Sequence, residues 1–415
     1  MKYMGSKRYM LNNGLGTLIR DQLPHANRVI DPFCGAGSVI QFAAKNSDKE
    51  IIAGDLQQYA IVLARAVIER TKPVDVPMLQ TSWLLKAEEQ LSRSKLFLQA
   101  KKNDINYSQN VEEWVKKSRQ LCEIPSKIGP VWGAYGGHYF SPKQALIIDY
   151  LIKCLPEKTT DRNVCLAALI TAASRCAAAP GHTAQPFQPT EGASKFIKIS
   201  WNMDVLKSCL NALTEIAPLH AKTNGAAYVG SAEKLTQKMQ KGDLVIIDPP
   251  YSGVQYSRFY HVLETIARGK CGKVEGVGRY PVLSERPQSS FSNVGQSVEA
   301  LDILLKKLSE REVVVIFTFP KGDCSNGLSG KVIADSAKKY FTIDKKSRTH
   351  HHVVKGKFST LGGNNKLKLK NNEVKRSRVT SEELILLLKP RVSKSVSRSK
   401  QKQKIKTRKS YAQYR

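Results

Sequence analysis

Two parts of the chain alternate short apolar runs with segments whose apolar residues recur at helical spacing. In the first part, residues 28–33 and 51–55 are apolar runs, and residues 59–70 have the spacing of a helix. The alternation resumes at residues 226–230 and continues through a strongly apolar run at residues 243–247. Strand and helix in repeated alternation predict an α/β fold with a parallel sheet that is built from both parts of the chain.

The segment between these two parts has a different pattern. Residues 72–223 are mostly helical and polar, and residues 180–200, rich in Gly, Pro, Thr and Gln, predict an exposed loop. We therefore predict one domain formed by residues 1–71 and 224–390, with residues 72–223 as a mostly helical insertion on it.

The charge balance narrows the class of partner. The chain of 415 residues has 66 Lys and Arg against 35 Asp and Glu, a formal net charge of +31. Such an excess of positive charge favours a polyanionic partner, and nucleic acid is the leading candidate. The alternatives are binding to a membrane surface, or a basic protein without such a partner. The composition of residues 391–415 predicts a disordered basic tail. The segment from Lys389 onward holds eleven of the basic residues and no acid, and without them the chain still carries +20.

Cysteine use and the N-terminal sequence favour a cytoplasmic protein. The 8 Cys are scattered without a Cys-x-x-Cys pair, so reduced thiols are expected and no metal site is predicted. Residues 1–7 do not resemble a signal peptide, and no apolar run approaches the roughly 20 residues of a membrane span. We therefore expect no membrane partner.

A glycine-rich turn follows the first predicted strand. Asp31-Pro-Phe-Cys-Gly-Ala-Gly37 joins that strand to a helix, and Gly35 and Gly37 allow a ligand to approach the backbone. Asp55 ends the second strand, where a carboxylate can bind both hydroxyls of a ribose. The spacing favours an adenosine-containing ligand, although a lone Gly-x-Gly also occurs in ordinary tight turns.

Asp248-Pro-Pro-Tyr251 directly follows the apolar run at residues 243–247. The two prolines stop the strand and hold the chain rigid. Asp248 and the Pro249 carbonyl can then both accept hydrogen bonds from one amino group, and Tyr251 offers a flat face to a base. The alternative is a simple Pro-Pro turn with a capping Asp.

Three segments together resemble the Dam-like adenine-specific DNA methyltransferases. They are Lys2-Tyr-Met-Gly-Ser-Lys7, Asp31-Pro-Phe-Cys-Gly-Ala-Gly37 and Asp248-Pro-Pro-Tyr251, in the order that this family has. The resemblance covers about half of the chain and implies a Rossmann-like S-adenosylmethionine-dependent methyltransferase fold, in which residues 1–71 and 224–390 are catalytic. It does not cover the insertion or the tail.

The resemblance also implies roles for individual residues. S-adenosylmethionine is the implied cofactor, and the residues expected to bind it are Tyr3, Lys7, Asp31, Phe33, Gly35, Gly37, Asp55 and Asp248. The expected catalytic residues are Asp248, Pro249, Pro250 and Tyr251. Asp248 would lie between cofactor and target amine, and Tyr251 would stack on the flipped adenine.

The implied activity is site-specific methylation of the 6-amino group of adenine in double-stranded DNA, with base flipping and direct transfer. We expect the insertion, including the loop at residues 179–188, to recognise the target sequence. The setting implied is bacterial or phage DNA modification, with or without a restriction or defence nuclease. Alternatives are a cytosine 4-amino methyltransferase, an enzyme acting on RNA or a protein amide, and a catalytically inactive DNA-binding module.

Overall fold

The apolar runs of both parts of the chain lie side by side in one sheet. The computed structural model describes residues 7–353 and 380–391. Their strands, numbered in chain order, are β1 (Arg28–Asp31), β2 (Glu50–Asp55), β3 (Ala226–Val229), β4 (Leu244–Ile247), β5 (Val274–Glu275), β6 (Tyr280–Pro281), β7 (Val314–Pro320), β8 (Phe341–Ile343), β9 (Arg348–Val353) and β10 (Thr380–Pro390). The large sheet has the order β3-β2-β1-β4-β7-β10-β8, β9 pairs with β10, and β5 and β6 form a separate hairpin.

The sheet is parallel on one side and antiparallel on the other. β3, β2, β1, β4 and β7 run parallel, and β10 lies antiparallel between β7 and β8. Consecutive parallel strands require crossover connections, which the helices supply. The strand order reverses between β1 and β4, and open α/β sheets bind ligands at the carboxyl ends of the strands beside such a reversal.

Helices occupy most of the remaining described chain. They are α1 (Arg8–Asn12), α2 (Leu15–Gln22), α3 (Ser38–Asn46), α4 (Gln58–Ile68), α5 (Val76–Leu79), α6 (Lys86–Ser92), α7 (Lys95–Tyr107), α8 (Val111–Cys122), α9 (Val131–Tyr135), α10 (Pro142–Lys153), α11 (Thr159–Cys176), α12 (Glu191–Trp201), α13 (Val205–Ile216), α14 (Ala232–Leu235), α15 (Tyr256–Arg268), α16 (Ser297–Glu310) and α17 (Gly330–Tyr340). The mixed α/β architecture predicted from the sequence is confirmed.

Alternate residues of the strands enter cores on opposite faces of the sheet. Val29 and Ile51 belong to one buried cluster, whereas their neighbours Ile30 and Ile52 belong to another. The second cluster is completed by α16 and α17. The first continues into the helices between α4 and β3, where α11 packs against both α4 and α13. Residues 72–223 therefore share the main core with the sheet, and they add a small buried cluster of their own around Trp114 and Trp201.

The sequence pattern misplaced one helix of this region. Residues 191–200 were predicted to be loop, but they belong to α12, because Trp201 packs edge-on against Trp114 at 4.9 Å and Ile197 is buried beside them. Tertiary packing here outweighs a composition that disfavours helix. Ser94 separates α6 from α7, and its hydroxyl caps α7.

Two predicted features fall on residues outside the described ranges. These are Tyr3 and the basic tail, of which the structure describes Arg391 alone. Within residues 7–353 and 380–391, no helix has both the length and the apolar character that a membrane span requires.

Candidate active site at the carboxyl ends of the strands

Three aspartates meet at the carboxyl ends of neighbouring strands. Asp31 ends β1, Asp55 ends β2 and Asp248 directly follows β4. All three line one cavity, which lies where the strand order reverses. Its wall is formed from segments more than 200 residues apart in sequence, as the parallel sheet predicts.

The glycine-rich turn between β1 and α3 holds the left-handed conformations that its glycines permit. Gly35 has φ +47° and Gly37 has φ +76°, and α3 begins at the next residue, Ser38. The Gly35 N–H donates to Oδ2 of Asp55 at 3.0 Å. Gly35 lines the cavity, and Gly37 lies just outside its wall, where it sets the direction of α3.

Asp55 is held rigidly by its own chain segment. Its Oδ1 accepts from the Gln57 N–H at 2.9 Å, while Oδ2 is bound by Gly35. Each carboxylate oxygen can accept a second hydrogen bond, so this arrangement fixes the group without exhausting it. Burial raises the pKa of Asp55 to about 6, even though these N–H groups lower it.

The pKa of Asp31 is raised further than that of Asp55. It is 3% exposed, and its Oδ1 accepts from the Phe33 N–H at 3.1 Å. Burial raises the pKa of Asp31 to about 8, with a smaller contribution from the negative charges of Asp248 and Asp55. Like charges that resist ionisation together create a site that favours a cationic ligand.

Asp248 takes part in a network of buried side chains. Lys7 Nζ lies 3.0 Å from Asp248 Oδ1 and 3.0 Å from Glu383 Oε2, and the Thr318 hydroxyl donates to Asp248 Oδ1 at 2.9 Å. Burial raises the pKa of Asp248, and the Lys7 ammonium opposes that rise. Burial alone would lower the pKa of Lys7, but its two carboxylate partners outweigh burial and the net shift is upward.

The Pro-Pro turn is fixed from outside by Asn326. This buried side chain donates through Nδ2 to the Pro250 carbonyl at 2.8 Å and to the Phe291 carbonyl at 2.9 Å. It thereby joins the turn to residues 287–291, a segment that we call the strap. The strap forms one wall of the cavity, and the Phe291 ring meets Phe33 edge-on at 5.4 Å.

The strap is attached a second time through Gln255. Its side chain accepts from the Ser289 N–H at 2.7 Å and donates to the Ser289 carbonyl at 3.0 Å. Gln255 precedes α15, which follows the Pro-Pro turn in the chain. Both attachments of the strap thus lead back to the segment that carries Asp248.

A row of aromatic rings leads from the turn to the insertion. Tyr251 lies 6.4 Å from Tyr256, Tyr256 lies 5.8 Å from Phe259, and Phe259 lies 5.1 Å from His182 between ring centroids. The Thr183 N–H and hydroxyl both donate to the Phe259 carbonyl at 2.8 Å. The loop at residues 179–188 therefore packs against Phe259, and the ring of Tyr256 lies between Phe259 and the half-buried Tyr251.

The structure brings most of the residues predicted from the sequence into one cavity. The predicted residues that line it are Lys7, Asp31, Phe33, Gly35, Asp55, Asp248, Pro249, Pro250 and Tyr251. Sequence reasoning missed Thr318, Asn326 and Glu383, which come from distant segments without a recognisable motif. Among the described residues, no three His, Cys, Asp or Glu side chains are grouped to hold a metal ion.

Comparison with known proteins agrees with this geometry. The family model of the D12 class of N6 adenine-specific DNA methyltransferases matches residues 3–123 and 203–316. The type II methyltransferase M.FokI of Planomicrobium okeanokoites is 24% identical over 326 residues, which are 77% of this chain and 44% of that protein. The type II methyltransferase M.NlaIII of Neisseria lactamica is 27% identical over 331 residues, 74% of this chain and 80% of that protein. The chain thus spans less than half of the length of M.FokI.

Proposed function

The chain belongs to the D12 class of N6 adenine-specific DNA methyltransferases, and from that premise we propose that its cavity transfers a methyl group from S-adenosylmethionine to the 6-amino group of adenine in double-stranded DNA. The observation that carries the proposal is that Asp248-Pro-Pro-Tyr251 lies in the same cavity as the turn at Gly35, which is hydrogen-bonded to Asp55. The Asp248 segment would supply hydrogen-bond acceptors for an amine, and the Gly35 turn with Asp55 would bind a nucleoside.

The charges of the cavity fit the methyl donor. S-adenosylmethionine carries a sulfonium and an ammonium group, and the three buried aspartates with raised pKa values favour positive charge beside them. Asp55 would hold the ribose, and the turn around Gly35 would enclose the methionine part. Phe33 lies on the wall between them. Lys7 completes this set, and Tyr3 is expected to join it.

The target amine requires a rigid pair of acceptors. When bound, the cofactor supplies a methyl group whose bonding electrons stay with sulfur, so the amine nitrogen must provide its lone pair. That lone pair is delocalised into the adenine ring. Hydrogen bonds to Asp248 and to the Pro249 carbonyl would favour a tetrahedral nitrogen and free the lone pair. Thr318, Lys7 and Asn326 hold this acceptor pair in place.

Access to the amine requires that the adenine leave the duplex. The stacked base would rotate into the cavity, where Tyr251 offers its ring face. The cytosine 4-amino alternative uses the same chemistry, but the family model favours adenine. A catalytically inactive module is disfavoured by the intact network at Asp248.

We further propose that residues 72–223 recognise the target sequence. The family model leaves residues 124–202 unmatched, and part of that segment, the loop at residues 179–188, packs against Phe259 in the row of rings that begins at Tyr251. Gln185 is exposed on this loop, whereas Gln188 is engaged by the Arg119 guanidinium at 3.2 Å. A Gln side chain can bind an adenine edge bidentately, which makes Gln185 the candidate for base contact.

The activity is tested with unmethylated genomic DNA and labelled S-adenosylmethionine, followed by analysis of the nucleosides. We expect label in 6-methyladenine, none with Asp248→Ala, and undiminished label with Asp335→Ala, which removes an exposed acid. Label in 4-methylcytosine would overturn the substrate, and no label in DNA would overturn the proposal.

Target recognition is tested by sequencing the methylated positions. Gln185→Ala should broaden the set of methylated sites, because one good bidentate contact contributes about 1–3 kcal/mol of discrimination. Gln237→Ala, exposed on the sheet side of the molecule, is the matched control. An unchanged site set for Gln185→Ala would remove this residue from the proposal.

We also propose a setting in bacterial or phage DNA modification, because the relatives are named as type II methyltransferases. DNA that the chain has modified should then resist a nuclease that cuts at the same sequence. Continued cutting of fully methylated DNA would argue for modification without such a partner.

A further inference from the structure

A line of polar side chains leads from the carboxylate of Asp248, on the cavity wall, to Glu383 on β10. Thr318 donates to Asp248, and Lys7 Nζ bridges Asp248 Oδ1 and Glu383 Oε2 at 3.0 Å on each side. Glu383 lies on β10, 376 residues from Lys7 in the chain. Nothing in the activity described so far requires this second carboxylate.

Glu383 is a second carboxylate buried beside a lysine that already has an anionic partner. The side chain of Lys7 is 5% exposed, that of Glu383 is 11% exposed and that of Asp248 is 24% exposed. One buried ammonium ion would be neutralised by Asp248 alone. With Glu383 as well, the group of Lys7, Asp248 and Glu383 carries a net charge of one negative unit. Uptake of one proton would make this group neutral.

Methylation of an amine produces a proton that must leave. The nitrogen spends its lone pair on the new N–C bond, sulfur keeps the electron pair of the broken S–C bond, and the nitrogen then carries a positive charge until one of its hydrogens departs as a proton. Asp248 is the acceptor nearest to that nitrogen in the proposed function. With base and cofactor in the cavity, the open face of Asp248 is covered, and its remaining neighbours are Lys7 and Thr318.

We propose that Lys7 and Glu383 form the exit for this proton. The amine proton passes to Asp248, Lys7 takes it up at Nζ while it gives one of its own protons to Glu383 Oε2, and Glu383 later releases it to solvent. Lys7 is charged before and after, and the net change is one proton moved from the amine to Glu383. Glu383 touches neither substrate nor cofactor, so it is a positioning residue that acts through Lys7. The proposal rests on the proposed methylation of adenine.

β10 supplies a matched control for Glu383. Its neighbour Glu382 points to the opposite side of the strand, where it pairs with Lys321 at 2.9 Å and is 38% exposed. Glu383→Gln removes the proton acceptor and keeps the shape. Glu382→Gln makes the same chemical change on the same strand away from the cavity, and Glu383→Asp keeps a carboxylate.

The experiment measures steady-state methylation in H2O and D2O together with calorimetric binding of S-adenosylhomocysteine. For Glu383→Gln we expect kcat to fall by about a hundredfold, the lower end of general acid–base effects. Proton release then limits the rate, so a solvent deuterium isotope effect should appear that the wild type lacks. Binding of S-adenosylhomocysteine should be unchanged. Glu383→Asp should recover part of the rate, and Glu382→Gln should match the wild type.

Three results would overturn the relay. They are an unchanged kcat in Glu383→Gln, a reduced kcat without the isotope effect, and a loss of S-adenosylhomocysteine binding, which would make Glu383 a structural partner of Lys7. A wild-type protein that methylates nothing would refute the proposed function instead, so the two failures are distinguishable.

Discussion

Asp31 is a buried acid whose ionised form is disfavoured by its surroundings in the folded protein. No lysine or arginine contact offsets its burial in the described structure, and its one described hydrogen bond comes from the Phe33 N–H. Folding of the protein without ligand should therefore be coupled to proton uptake at this carboxyl group. Asp55 has the same tendency, with a smaller rise in pKa.

The stability of the ligand-free protein should consequently fall as the pH rises from about 4 to about 8, the window between the ordinary pKa of Asp31 and its folded value. The folded state binds more protons than the unfolded state in this window. Asp31→Asn should remove part of this loss of stability. At pH 8 its free energy of unfolding should exceed that of the wild type by roughly 1 kcal/mol or more relative to pH 5, since one pKa unit corresponds to about 1.4 kcal/mol. Urea unfolding at pH 5 and pH 8 measures this.

Asp335→Asn, a change at an exposed acid of α17, controls for the loss of one charge. An equal difference in unfolding free energy between the wild type and Asp31→Asn at both pH values would mean that Asp31 is already charged at pH 5.

The sequence identifies those residues whose role depends on near neighbours in the chain. Asp248 and Gly35 each sit in a short motif whose geometry is local, since a strand end and a turn fix them. Glu383 and Thr318 belong to ordinary-looking strands, and they reach Asp248 only because β7 and β10 lie beside β4 and its neighbour in the sheet. No spacing in the sequence reports that adjacency.

Among the elements, the strap depends most on single side chains. Residues 287–291 form no long helix or strand, and they are held against the Pro-Pro turn by Gln255 and Asn326. Because Asn326 binds Pro250 and Phe291 at once, the position of the Pro-Pro turn and the position of the strap are coupled.

Asn326→Ala should lower the free energy of unfolding by about 1–3 kcal/mol, because it leaves two carbonyls without their donor. It should also lower kcat and speed hydrogen exchange in the strap. Chemical denaturation, methylation kinetics and exchange mass spectrometry measure the three effects. Asn293→Ala, which removes only an exposed acceptor of the Gly295 N–H, should lower the free energy of unfolding by less, about 0.5–1 kcal/mol. Normal exchange in the strap of Asn326→Ala would refute the coupling.

Element prediction succeeded where the hydrophobic period alone decides the structure. β4 and α4 have such patterns, and both were predicted from them. α12 was not, because its helix is stabilised by Trp201 and Ile197 against α8, while the Gly, Pro, Thr and Gln residues at positions 180–190 made the whole segment resemble a loop. The order in which β10 enters the sheet is likewise set by pairing with distant strands.

For the whole molecule, the net charge of +31 predicts how DNA affinity depends on salt. Each phosphate contact releases a counterion, so log K falls with log salt by about 0.9 for each contact. Residues 392–415 carry nine Lys and Arg and no acid. These charges should increase the affinity for DNA of any sequence and contribute little to discrimination between DNA sequences.

Deletion of residues 392–415 should therefore weaken DNA binding most at low salt and reduce the salt slope by several units, up to about 8 if all nine charges contact phosphate. The rate at saturating DNA and the set of methylated sites should not change. Anisotropy titrations between about 50 and 200 mM salt measure the slope. A variant with the nine charges replaced by Gln, at full length, is the control for chain length, and an unchanged slope would place all DNA contacts elsewhere.

The contact between Lys7 and Glu383 has a consequence for the timing of activity during synthesis. Among the described strands β10 comes last in sequence, yet it fills a position between β7 and β8, and it brings Glu383 to Lys7, which is made 376 residues earlier. A nascent chain on the ribosome that has not yet released β10 lacks Glu383, the end of the proposed proton relay. Full activity should therefore begin only after β10 has joined the sheet, so that unfinished copies, or copies degraded before β10, leave genomic DNA largely unmarked.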